Sequence, residues 1–159
     1  MFSIFKIPVV NHPQLGVLKW QRGCWRGEIA FGEYARVPLV LGGSRKGPDE
    51  DAIAHALALP QAYGAIRSRL ENALFEHCEP YTEAVRLGEL NPGDQQFPEV
   101  TNPEDALRKA HLEAALVISL DGAMAIELCY LVPWDEEHTI GARFRGEQWI
   151  ELCGSTLIP

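Results

Sequence analysis

Three carboxylates and an imidazole stand side by side in Asp135-Glu136-Glu137-His138, directly after Pro133-Trp134. Carboxylate and imidazole side chains ligate metal ions and move protons near neutral pH, so chemistry would concentrate here. Asp135, Glu137 and His138 offer three donors to a metal ion. His138 beside a carboxylate also suits general acid–base work. Neither possibility comes with a recognised signature, because there is no H-E-x-x-H and no second histidine nearby. Without one, the stretch reads as a binding surface or a structural turn. In the structural version Asp135 caps the turn, Trp134 plugs the end of a sheet, and Glu136 and Glu137 stay in solvent.

Other candidates are weaker. Asp51 and His55 lie one helical turn apart and read as a surface pair. His77 falls on an apolar stripe beside Cys78, and adjacent helical residues do not oppose each other, so it reads as a core histidine. Gly42-Gly43-Ser44-Arg45-Lys46-Gly47 lacks the G-x-x-x-x-G-K-[ST] order and reads as a linker. No G-x-S-x-G is present. Cys24, Cys78, Cys129 and Cys153 form no C-x-x-C pair, which predicts reduced, structural thiols and a cytoplasmic setting. No catalytic residue, metal or cofactor is expected.

The elements that must position the W-D-E-E-H stretch predict an α+β fold within a single globular domain, 1–159. Residues 1–42 are rich in β-formers divided by turns and predict an antiparallel meander. Its strands are 17–20, 24–31 and 35–41, and Trp25, Gly27, Ile29 and Phe31 share one face. The helical middle, 49–111, opens on Asp49-Glu50-Asp51, where acids suit a helix start. Pro60 and Pro80 are expected to break or kink it. Tyr63, Ile66, Leu70, Ala73, Leu74 and His77 mark a buried stripe, Arg67 and Glu71 an exposed pair, and Gly88 a stop. After a loop over 91–98, Asn102-Pro103-Glu104-Asp105 reads as the cap and first turn of a short helix reaching about His111.

Strands return over 113–153 as a pair of hairpins packed on the helices, and burial argues for three-residue loops. A loop of Asp121-Gly122-Ala123 places Leu116, Ile118 and Leu120 on one face with Met124, Ile126, Leu128 and Tyr130. A loop of Arg145-Gly146-Glu147 aligns Ile140, Ala142 and Phe144 with Ile150 and Leu152. It leaves Arg143, Trp149 and Glu151 together on the outer face.

Composition narrows the function. The chain has 159 residues, 47% hydrophobic and 23% charged, and no apolar run approaches membrane-spanning length. Met1–Lys6 lacks the pattern of a secretory leader. The net charge of −8 divides into +5 over residues 1–47 and −13 over 48–159. Such an acidic majority repels nucleic acid and favours a basic protein partner.

Trp134-Asp135-Glu136-Glu137-His138-Thr139-Ile140-Gly141-Ala142-Arg143-Phe144 resembles the W-D-x-E-H-G-[LI]-G signature of small uncharacterised bacterial domains. The likeness extends to His12-Pro13-x-Leu15-Gly16 and Trp25-x-Gly27, and departs at Thr139, where glycine is usual. Some of those domains look like immunity proteins of toxin systems. The resemblance therefore implies a non-enzymatic inhibitor of a basic toxin domain and no catalytic residue. The expected partner surface is Trp134, Asp135, Glu136, Glu137, His138, Arg143 and Trp149. A small metal-dependent enzyme centred on Asp135, Glu137 and His138 is the alternative.

Overall fold

The computed structural model describes residues 6–93 and 96–156. Met1–Phe5, on which the leader reading largely rests, and the middle of the 91–98 loop lie outside them. The order of elements is the expected one: strands, helices, strands. The first set is β1 (Val9–His12), β2 (Gly16–Gln21), β3 (Cys24–Phe31) and β4 (Tyr34–Leu41). A two-residue ribbon, β5 (Gly43–Ser44) and β6 (Gly47–Pro48), leads into α1 (Glu50–Arg86) and α2 (Pro103–Lys109). The second set is β7 (His111–Leu120), β8 (Ala123–Val132), β9 (Asp135–Arg145) and β10 (Gln148–Gly154).

Both sets belong to one eight-stranded sheet, ordered β1-β2-β3-β4-β7-β8-β9-β10. Each half is an antiparallel meander, and the two meet through the parallel pair β4–β7, at Leu39–Ala115 and Val40–Leu116. Parallel neighbours need a long crossover connection, which the helical middle supplies. β1 was not anticipated; it pairs with β2 from Val9–Lys19 to His12–Gly16.

α1 lies across one face of the sheet. Ala52, Ala56, Leu59, Ala62, Tyr63, Ile66, Leu70, Leu74 and Cys78 form its buried side. Across from them stand Leu39, Leu41, Ala115, Val117, Ile126, Leu128, Tyr130 and Phe144. Pro60 and Pro80 do not break the helix: α1 runs through both for 37 residues. Both prolines are exposed. On a helix wrapped over a core, solvent-side carbonyls already tilt towards water, so a missing N–H is least disruptive there. The predicted stop holds, with Gly88 at φ +73° and Glu89 N–H donating to the Ala84 carbonyl at 2.8 Å. Asn102 caps α2, its side-chain oxygen accepting the Asp105 N–H at 2.9 Å. Chain extension resumes at His111, so the helix stops two residues short of the expected end.

The two hairpin registers differ from expectation. Leu120 pairs with Ala123, leaving a two-residue Asp121-Gly122 turn with φ +52° and +79°. Arg145 pairs with Gln148, leaving Gly146-Glu147. Turn geometry outweighs the apparent burial pattern: positive φ at both Asp121 and Gly122 matches the strand twist, and Gly146 supplies the positive φ of the second turn. Leu116 and Ile118 consequently leave the helix-covered face, and Ala115 and Val117 occupy it instead. Leu116 forms a smaller cluster with Ala114 and Cys129, flanked by Val40 and Ile118, on the sheet's other face. Among the described residues, no helix is long and apolar enough to cross a membrane.

Candidate functional site

The W-D-E-E-H stretch sits where β8 turns into β9, with Val132 opposite Asp135. Trp134 is 3% exposed and packs into the main core. Its indole N–H donates to His77 Nδ1 at 3.0 Å, which ties the turn to α1. His77, expected in the core, is instead half-buried at its edge and acts as an acceptor at Nδ1. Burial lowers its pKa, although the Asp135 charge opposes that shift.

Asp135 is buried and is the hub of the turn. The Tyr81 hydroxyl donates to Oδ2 at 2.7 Å, and His138 Nδ1 lies 2.9 Å from Oδ1. The Glu137 backbone N–H donates to Oδ1 at 3.3 Å. Burial disfavours the Asp135 charge, but the Tyr81 and His138 hydrogen bonds outweigh it and hold the pKa below its ordinary value. The same bonds raise the partners. Tyr81 is pushed up to about 12, first by its bond to Asp135 and then by burial. His138 is raised by its bond to Asp135 and by that carboxylate's charge. Asp135 therefore performs the turn-capping role foreseen for it, and holds His138 as well.

Beside this hub opens a cavity of about 500 Å³, walled by Leu90, Phe97, Pro98, Pro133 and Trp134, with Glu136, Glu137 and His138 at its rim. Glu136 and Glu137 are exposed. Neither side chain forms an ion pair among the described residues. A histidine held through Nδ1 by a buried carboxylate keeps Nε2 free for a hydrogen bond or a proton. Asp135 and His138 are thus brought together, while Glu137 contributes its backbone. Among the described residues, no group of three or more His, Cys, Asp or Glu side chains converges in a way that would hold a metal ion.

Arg143 and Trp149 lie apart from this turn. A bulge between Trp149 and Glu151 places Trp149 opposite Phe144, packed against the helix-side core. Arg143 is on the other face with Glu151, so Trp149 alone leaves the expected grouping of Arg143, Trp149 and Glu151. Arg143 Nε donates to Glu127 Oε2 at 2.9 Å and its NH1 to Glu151 Oε1 at 2.9 Å.

Glu127, which sequence reading passed over, is fully buried. It accepts from the Ser155 hydroxyl at 2.7 Å and from the Thr156 N–H at 2.8 Å, besides Arg143. Burial raises its pKa, but these donors outweigh it and keep the group ionised. The available signal was a lone acid inside the apolar run of β8 (AMAIELCYLV). Gly141 makes room for it: a Cβ there would stand 2.9 Å from the Glu127 carboxyl carbon. Glu127 thus anchors the carboxy-terminal end of the sheet.

The four cysteines are free thiols, as expected; burial pushes Cys129 up to about 12. His55 Nδ1 contacts the Asp51 backbone carbonyl at 2.8 Å rather than its carboxylate.

No curated protein and no solved structure matches the chain. A family model described as "Domain of unknown function (DUF6985)" matches residues 14–157 and so spans β2 to β10, both helices and the β8–β9 turn, leaving out β1. The chain belongs to the DUF6985 family.

Proposed function

We propose that the chain is a non-enzymatic binding protein whose β8–β9 turn captures a basic protein partner, in the manner of an immunity protein masking a basic toxin domain. One observation carries the reading: Glu136 and Glu137, which form no ion pair among the described residues, rim a cavity of about 500 Å³ with an apolar wall of Leu90, Phe97 and Pro133. A basic side chain flanked by an aromatic or aliphatic one fits that chemistry, with its cation on the rim and its apolar neighbour against Phe97 and Pro98. The support beneath is rigid, because Trp134 and Asp135 are buried and hydrogen-bonded to α1. A held surface loses little freedom on binding. The net charge of −13 beyond residue 47 adds long-range attraction for a cationic partner. Reduced thiols suit the cytoplasm, where such an inhibitor would act.

Co-expression with the toxin-like protein of an adjacent reading frame tests the reading. Growth should be rescued by the wild type and not by the Glu136→Lys/Glu137→Lys double variant. Both chains should melt within a few degrees of each other, because exposed charges contribute about 0–1 kcal/mol to folding. Undiminished rescue by the double variant would overturn the assignment of this turn as the interface.

A further inference from the structure

The open face of the sheet carries a row of cross-strand neighbours: Lys19, Arg26, Val40, Leu116, Glu127, Arg143 and Glu151. At its acidic end every charge is answered, since Glu127 and Glu151 both bond Arg143. At its basic end the charges are not. Lys19 and Arg26 stand directly opposite each other, and like charges so placed repel. Arg26 Nε is buried from water and has no hydrogen-bond partner among the described residues. A buried donor left unsatisfied is costly, and native structures rarely keep one without a reason.

A third unfavourable feature lies four residues earlier. Arg22 heads the β2–β3 turn at φ +51°, a position that asparagine or glycine fills more easily. Arg22 and Arg26 both line a cavity of about 340 Å³ whose apolar surface comes from Val40, Leu116 and Ile118, with Thr156 at its edge. None of its lining residues is acidic, in a chain with a net charge of −8. The strained Arg22 and the unsatisfied guanidinium of Arg26 thus line one pocket, while Lys19 adds positive charge from the neighbouring groove. An anion bound between Arg22 and Arg26 would answer both guanidinium charges and offer the Arg26 donor an acceptor.

We propose that this cavity is a binding site for a small monocarboxylate with an apolar body, such as an arylalkanoic acid. Arg22 and Arg26 hold the carboxylate, and Val40, Leu116 and Ile118 receive the apolar part. Guanidinium groups match a carboxylate's two oxygens in geometry as well as in charge. The volume lies at the small end of ligand pockets, which suits a short acid rather than a polymer. This site is separate from the β8–β9 turn, and the two readings stand or fall independently.

Calorimetric and NMR titration of the intact chain with 4-phenylbutyrate tests the proposal, with 4-phenylbutylamine as the charge-reversed control. The acid should bind saturably at one site, shifting amide signals around Val40 and Leu116, and the amine should not. Arg22→Gly suits the positive φ, so it should fold at least as stably as the wild type while binding the acid about tenfold more weakly. Arg26→Met, which keeps the length and removes the charge, should weaken binding by at least as much. Absent binding, equal binding of the amine, or undiminished affinity in Arg22→Gly would each overturn the proposal.

Discussion

The Asp135 carboxylate is shared by a tyrosine hydroxyl, an imidazole and a backbone N–H, and that sharing gives the site its pH behaviour. Asp135 raises the pKa of His138 above its ordinary 6.5. A group with a raised folded pKa adds stability that is fully present below the unfolded value and is lost as pH rises through the folded one. The Asp135–His138 contribution should therefore fade from about neutrality upward. An NMR titration of the His138 ring should find its midpoint above 6.5, and Asp135→Asn should bring it back down. An unshifted midpoint in the variant would remove Asp135 as the cause. Zinc or a chelator should leave the melting temperature unchanged, because three donors do not converge here. A zinc-dependent rise abolished by His138→Ala would instead favour the metal-dependent alternative.

Among the elements, α1 shows local preference yielding to packing. Pro60 interrupts the hydrogen-bond ladder on an exposed surface, while nine buried side chains hold the helix on the sheet. Pro60→Ala should restore the lost bond and stabilise the fold by about 2 kcal/mol, the helix-interior penalty of proline less its restraint on the unfolded chain. Unchanged or lowered stability in chemical denaturation would contradict that account. The same contest explains what was legible in the sequence. The Asn102 cap, the Gly88 stop and the Arg67–Glu71 pair depend on neighbours within a turn and could be read directly. The W-D-E-E-H turn was legible for the same reason, down to the buried tryptophan and capping aspartate. The parallel β4–β7 pair, and with it the single sheet, depends on a contact spanning the whole helical middle. The two hairpin registers were misread because Leu116 and Ile118 looked like core, and nothing local showed that the second face has a small apolar cluster of its own. Arg143 and Trp149 were separated by a bulge that no residue type announces.

Across the whole molecule, the uneven charge takes structural form. One sheet face is sealed by α1, and the basic amino-terminal third brings Lys19, Arg22 and Arg26 to a corner of the other. The acidic remainder leaves Glu136 and Glu137 exposed at the β8–β9 turn, without an ion pair among the described residues. Diffuse negative charge alone would attract any cationic chain and would be screened evenly by salt. A built site should instead localise the contact. The most direct measurement is an amide-resolved NMR titration with a short peptide of alternating arginine and tryptophan, repeated on Glu136→Lys/Glu137→Lys. The account predicts saturable shifts confined to Leu90, Phe97 and residues 134–138, lost in the double variant. Shifts spread over the acidic surface at large, or persisting unchanged in the double variant, would contradict it.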